Sequence, residues 1–268
     1  MGPPVARLSI PGVDYMLAVA SGKGGVGKST TAVNLAVALA QNHNLSVGLM
    51  DADVFGPSVP RMMNLSGRPK ATEDHKMIPL ENFGVRCMSM GFLLQDDAAA
   101  VWRGPMVMSA LESFMKKVAW GNLNVLVIDM PPGTGDAQIT ISQRLPITGA
   151  VMISTPQDIA LIDARKGATM FRNVKVPILG LVENMSYYQC PSCGHQEHIF
   201  GDGGAKRTAQ EMQMELLGQI PLHISIRETS DAGAPIVASN PGSPSAQAYS
   251  KLADRVWEKL QMARPNPG

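Results

Sequence analysis

Eight consecutive residues, Gly22-Lys23-Gly24-Gly25-Val26-Gly27-Lys28-Ser29, carry the densest chemical signal in the chain. Four glycines let the backbone curl so that successive N–H groups, that of Val26 included, face phosphate oxygens. A helix beginning just after them presents its positive end to the same anion. The run fits G-x-x-x-x-G-K-[ST] between an apolar strand-like segment and a helical pattern, the setting in which this loop cradles a nucleoside triphosphate. Lys28 then supplies a point charge to the β- and γ-phosphates, and the Ser29 hydroxyl a ligand for Mg²⁺. Lys23 is a second lysine, placed ahead of the glycines. A side chain there does not fold back easily onto its own nucleotide, but it is well placed to reach the nucleotide of a facing subunit and neutralise transition-state charge. The loop therefore predicts ATP with Mg²⁺ as ligand and a homodimer as the working form.

Two carboxylate segments and one cysteine pair extend the set. Asp51-Ala52-Asp53 closes a strand-like run, and Asp53 is suited to orient the attacking water and to hold Mg²⁺ through a water. Asp129 follows four aliphatic residues, as a metal-holding strand-end aspartate should. The Pro131-Pro132-Gly133-Thr134-Gly135 run behind it is half rigid and half pliant, which suits a switch that senses the γ-phosphate. Cys190 and Cys193 form a C-x-x-C, the spacing of two thiolates on one metal centre. Two thiolates fall short of the four that a [4Fe–4S] cluster needs, a deficit that vanishes if two chains contribute two each. His195 and His198 open a second reading, zinc within one chain, and a redox disulfide is a third. Cys87, in a strand-like run, reads as a buried small apolar residue.

The elements that must position these groups alternate along the whole chain. Residues 16–20, 47–50, 85–88, 125–130, 150–154 and 178–182 read as strands; 29–41, 106–118, 159–171 and 205–214 read as helices. Strands apolar throughout and separated by helices predict an α/β fold, a parallel sheet flanked by helices on both faces, with ligands at the carboxyl ends of the strands. The phosphate loop, Asp53, Asp129 and Asn184 all follow such strands. We expect one domain over 1–268: a core over 10–244, a projecting cysteine loop over 187–204, a polar surface excursion over 67–81, and a terminal amphipathic helix over 245–262. That helix carries Tyr249, Leu252, Val256 and Leu260 on one face and Lys251, Arg255 and Lys259 on another; docking on the sheet is expected, with contact to a membrane surface as the other reading. A net charge of +1 across 268 residues gives no general attraction to nucleic acid. Three cysteines are too few for a disulfide framework, and no apolar run is long enough to span a bilayer. Residues 1–15 lack the apolar block of a signal peptide and are poor in arginine for a mitochondrial presequence.

The run from Val19 through Thr30 resembles the deviant phosphate loop of the Mrp-type iron–sulfur carrier ATPases, relatives of MinD, ParA and the nitrogenase iron protein. Residues 51–58, Trp102-Arg103-Gly104-Pro105-Met106, 129–136, 155–163, 182–186 and 221–228 are similar to the same family, so the likeness runs from residue 10 to about 256. Residues 87–93 and 107–110 are most similar to its mitochondrial branch, which serves respiratory complex I assembly. The resemblance implies an ATP-bound homodimer with a labile [4Fe–4S] cluster bridged by Cys190 and Cys193 of both chains, and apo-protein recipients for that cluster. It implies that Lys23 acts in trans and that Asn184 contacts adenine. It also implies a mitochondrial matrix protein, with the cytoplasm as the alternative. Rival readings are a metal-free positioning ATPase of the ParA or MinD kind, a zinc-stabilised ATPase, and a reductase like the nitrogenase iron protein.

Overall fold

The computed structural model describes residues 8–54, 56–93, 104–190 and 192–263. Phe55, Trp102 and Arg103, quoted above for the resemblance, lie outside them, as do residues 1–7 and Pro191. The amino-terminal half runs β1 (Val13–Ser21), α1 (Lys28–His43), β2 (Val47–Asp51), α2 (Val59–Met62), β3 (Leu80–Asn82), β4 (Val85–Ser89), α3 (Gly104–Lys116) and β5 (Leu123–Asp129). The rest runs α4 (Asp136–Arg144), β6 (Gly149–Ser154), α5 (Asp158–Asn173), β7 (Ile178–Glu183), β8 (Tyr188–Gln189), β9 (Gln196–Glu197), α6 (Gly204–Glu211), β10 (Leu216–Gln219), α7 (Ile224–Asp231), α8 (Ile236–Ser239) and α9 (Pro244–Ala263).

Eight strands form one sheet in the order β10-β7-β6-β1-β5-β2-β4-β3. All neighbours are parallel except β3, which returns antiparallel on β4. Burial explains the parallel set: β2, β6 and most of β1 and β5 have no exposed residue, so both faces must be covered. On one side α1, α8 and α9 pack together; α3 to α6 form a second group that reaches the sheet through α5. Within α1, residues Ala32 to Leu39 are buried around the whole helix. Asn34, the polar break in that run, donates to Thr30 O at 2.9 Å and accepts from Val237 N at 3.2 Å, so its burial ties α8 down.

Three differences from the sequence reading have local causes. The polar excursion is not wholly outside the sheet: it ends in β3, because Phe83 (φ 51°) and Gly84 (φ 76°) both take positive φ and turn the chain back onto β4. The expected cysteine loop is a two-stranded hairpin, Tyr188 pairing Glu197 and Gln189 pairing Gln196. The helix expected over 205–214 stops at Glu211, with Gln213 at φ 51° just beyond. The terminal helix docks as expected. Tyr249, Leu252, Val256 and Leu260 are buried against α1, while Arg255 and Lys259 both pair with Glu215, holding that carboxyl below its usual range. The apolar face on which a membrane reading depended is thus committed to the core. No described helix is long and apolar enough to cross a membrane.

Candidate functional site

The strand order brings the chemical residues together. β1, β5 and β2 are adjacent, with Val19 in register with Asp129, and Asp129 with Asp51. Their carboxyl ends therefore set the phosphate loop, Asp129 and the 51–58 segment side by side at one rim of the sheet. The loop is tight. A Cβ on Gly22 would lie 2.1 Å from Asp163 O of α5, and a Cβ on Gly27, itself at φ 81°, would lie 2.1 Å from Asn184 Nδ2. Both glycines are demanded by close approach, Gly27 by its conformation as well. Helix α1 starts without a side-chain cap and without an acidic residue in its first turn, so its leading N–H groups and positive end remain available to an anion.

Lys28 is buried, and its ammonium meets Asp129 Oδ1 at 2.5 Å and Ser29 Oγ at 3.0 Å. Burial pushes the Asp129 carboxyl up from its usual value, against the downward pull of Lys28. The second oxygen of Asp129 is buried without a hydrogen-bond partner among the described residues, a state that costs about 1–3 kcal/mol. An orphaned carboxylate oxygen beside a serine hydroxyl fits an oxygen-seeking Mg²⁺, so Ser29 and Asp129 suit the ion as the sequence suggests. Asp53 is half-buried on the adjoining segment and accepts a hydrogen bond from Gly56 N at 3.3 Å. Lys23 is half-exposed, and its ammonium has no acidic partner among the described residues. The 130–135 segment is tethered where Gly133 N donates to Ser21 O, 3.0 Å away and one residue before the phosphate loop.

Several groups carry structure that the sequence reading did not assign. Asp51 is fully buried and takes hydrogen bonds from Asp53 N, Val59 N and Ser89 Oγ, so it shapes the loop that presents Asp53. Burial first, and the Asp129 charge second, push its carboxyl up to about 7. Gln138 donates to Pro131 O from inside the core and steadies the switch segment. Asn184 is buried and donates to Val26 O at 2.8 Å, so it touches the phosphate loop itself. It also lines a cleft of about 460 Å³ with Gly27, Thr30, Arg61, Pro221 and Arg227. Of these, Asp51 and Asn184 had a signal in the sequence, through their places at the ends of strands, and Gln138 had none.

The cysteine pair lies in the turn of the β8–β9 hairpin, which follows the carboxyl end of β7. Cys190 N donates to His195 O and Gly194 N to Cys190 O, which closes the turn. The backbone N–H groups of Cys193 and Ser192 face the Cys190 sulfur and hold its thiol below the usual range. Cys193 and every other residue from 192 to 199 are exposed. The histidines are engaged elsewhere: His195 with Glu197, and His198 with Ser186 O at 3.1 Å. Among the described residues no three His, Cys, Asp or Glu side chains converge to hold an ion. Cys87 is buried in β4, where desolvation pushes its thiol up, in keeping with a packing role.

A protein-family model described as ParA, NUBPL iron-transfer P-loop NTPase, matches residues 12–257. The chain is 60% identical to an Arabidopsis thaliana protein named as an iron–sulfur protein required for NADH dehydrogenase, mitochondrial, over 97% of this chain and 83% of that one. It is 59% identical to the mouse iron–sulfur cluster transfer protein NUBPL, covering 94% and 79%, and 53% identical to the iron–sulfur cluster carrier protein of Escherichia coli K12, covering 94% and 68%. Among solved structures, a nucleotide-binding protein of Archaeoglobus fulgidus in complex with ADP superimposes with a TM-score of 0.77 at 36% identity, over 89% of this chain and 92% of that one. The Pyrococcus furiosus cell-division ATPase MinD shares the fold at a TM-score of 0.67 and 22% identity, over 91% and 98%. Family match, fold and loop geometry agree: the chain belongs to the NUBPL iron-transfer P-loop NTPase family.

Proposed function

We propose that two copies of the chain bind ATP face to face, hydrolyse it slowly, and carry one [4Fe–4S] cluster between them for delivery to apo-protein recipients. The observation that carries this reading is the exposed hairpin with two thiols, one of them held below its usual range by the turn around it, in a chain that offers no third ligand beside them among the described residues. A tetrahedral cluster then takes Cys190 and Cys193 from each partner. The name of the plant relative supports NADH dehydrogenase as a recipient and the mitochondrion as the setting; the 53% identical carrier protein comes from a bacterium, which supports the cytoplasmic alternative.

The residues divide the work on the nucleotide. Backbone N–H groups from Gly22 to Thr30 wrap the phosphates, Lys28 turns from Asp129 to the β- and γ-oxygens, and the base enters the cleft beside Asn184. Mg²⁺, held by Ser29 and Asp129, would neutralise charge on those oxygens. Asp53, presented by the loop that Asp51 shapes, orients the attacking water. Lys23 reaches the partner's nucleotide and adds charge in the transition state. The turnover is regulatory, timing the loading or release of the cargo.

Iron and acid-labile sulfide measured after anaerobic reconstitution test the cargo. We expect about four of each per two chains, transferable to an apo-acceptor. The content should survive His195→Ala with His198→Ala and be lost in Cys190→Ala or Cys193→Ala. Stoichiometric zinc without sulfide in iron-replete, anaerobic protein would overturn the carrier reading.

A further inference from the structure

Between the phosphate loop and the cysteine hairpin runs a short connection that bonds to both. It begins at Glu183, the last residue of β7, and passes through Asn184, Met185 and Ser186 to the first strand of the hairpin; Cys190 is the sixth residue after Asn184. Glu183 Oε2 accepts from Ser186 Oγ at 2.7 Å and from Gln219 Nε2 at 2.8 Å, and Gln219 also donates to Ser186 Oγ at 2.9 Å. The Ser186 carbonyl accepts from His198 Nδ1, and the Tyr187 ring stands edge-on to the His198 ring. One end of this chain of contacts is the Val26 carbonyl of the phosphate loop, through Asn184; the other is the far arm of the hairpin, through His198.

Three features leave the connection room for a second arrangement. Met185 sits at φ 54°, in the left-handed region that a long side chain occupies only under constraint. Glu183 is 2% exposed, yet its Oε1 has no partner among the described residues, so an acceptor is in place for a shifted Ser186 or Gln219. Beside Tyr187 and Gln219 lies a cleft of about 720 Å³, which gives the hairpin base room to move. Asn184 touches the loop that must wrap the phosphates and lines the nucleotide cleft, so a bound nucleotide acts on the residue at the head of the connection.

We propose that residues 183–186, braced by Gln219 and anchored to the hairpin by His198, couple nucleotide occupancy of the phosphate loop to the placement of Cys190 and Cys193. Glu183, Ser186, Gln219 and His198 are positioning residues in this scheme. Nucleotide enters, Asn184 leaves Val26 O, Met185 relaxes, and the displaced Ser186 carries His198 and the hairpin arm with it. Coupling of this kind is reciprocal: a filled thiol site changes nucleotide affinity by the same factor. The proposal rests on the reading of Cys190 and Cys193 as the cargo thiolates.

The test measures iodoacetamide labelling of Cys190 and Cys193 by mass spectrometry in metal-free, full-length protein, with buried Cys87 as internal reference. Without nucleotide and with saturating ATP and Mg²⁺, wild-type rates should differ by about fivefold or more. In Gln219→Ala and in His198→Ala, neither of which lines the nucleotide cleft, the difference should fall below about twofold while measured ATP affinity is kept. Glu183→Gln, which retains an acceptor oxygen for both donors, should preserve the response. A wild-type rate indifferent to nucleotide overturns the proposal, as does a full response in His198→Ala. His198 sits on the hairpin rather than in the core, so that variant decides the matter if Gln219→Ala fails to fold. Iron and sulfide content is read separately: protein that responds but loads no cluster sinks the carrier reading and leaves the coupling, and protein that loads but does not respond does the reverse.

Discussion

The phosphate rim and the cysteine hairpin are built on opposite principles. At the rim, Asp129 and Asp51 are buried at the ends of adjacent strands and Lys28 at the start of α1, and each side chain has partners on another element. At the hairpin, two strands of two residues each hold a turn in which every described residue from 192 to 199 is exposed. A site that must stabilise charge on a fixed anion gains from preorganisation in a dry, rigid setting. A site that must hand over its cargo gains from exposure, because the recipient's ligands have to reach it. In the function proposed above, the same chain keeps its electrostatics inside the sheet rim and its exchange chemistry on the exposed hairpin.

Breaking the buried side of this comparison should give the largest effect. Lys28→Ala removes the phosphate charge and leaves the Asp129 carboxylate buried and unpaired, so ATP binding should be abolished. The nucleotide-free protein should also lose about 3–5 kcal/mol of stability. Denaturant unfolding separates the two: Lys28→Met combined with Asp129→Leu should recover much of the stability and none of the binding. Unchanged ATP affinity in Lys28→Ala would remove the loop from the site.

Lys23 tests whether the rim is complete within one chain. Lys23→Ala should cut hydrolysis by about 10²–10³-fold with little change in nucleotide affinity, because the contact belongs to the transition state. Mixing Lys23→Ala with Asp53→Ala chains should restore at most one composite site per heterodimer. No recovery in demonstrated heterodimers would place Lys23 on its own nucleotide.

Asp51 offers a smaller effect through pH. Its carboxyl is raised by burial and by the Asp129 charge, to about 7. A raised carboxyl contributes stability that is complete below its unfolded value and is lost as pH rises through the folded one. Between about pH 4 and 7 wild-type stability should therefore fall, by at most about 1.4 kcal/mol per unit from this group. Asp51→Asn should flatten that slope. A slope unchanged by the substitution would mean that other groups titrate there.

The rim was legible in the sequence because its logic is local. Glycine spacing, a following helix and a carboxylate after an aliphatic run each appear within a few residues of one another, and the alternation of elements places them all at strand ends. What escaped depends on contacts distant along the chain. The role of Asp51 lies in its bond to Ser89, and that of Glu183 in its bond to Gln219, 36 positions away; neither partner stands out by type or spacing. Strand β10 escaped because Leu216-Leu217-Gly218-Gln219 is too short to show a period. The hairpin escaped because its pairing is a property of the turn around Cys190, not of the strand residues themselves.

The smallest effect is expected where the hairpin itself is cut. Cys190→Ala removes a sulfur whose contacts are with Cys193 and Ser192 of its own turn, and Cys193→Ala removes an exposed one. Neither leaves a cavity in the core or a buried group without a partner, the usual origins of large losses. Unfolding free energy of the metal-free protein should stay within about 0.5 kcal/mol of wild type, although the cluster is lost outright. Cys87→Ala should do the opposite, since its side chain packs inside β4: a loss of stability with the cluster kept. If Cys190→Ala instead destabilised the metal-free fold by more than about 2 kcal/mol, the hairpin would be a structural element like the rim. The division between a rigid nucleotide site and an exposed exchange site would then fail.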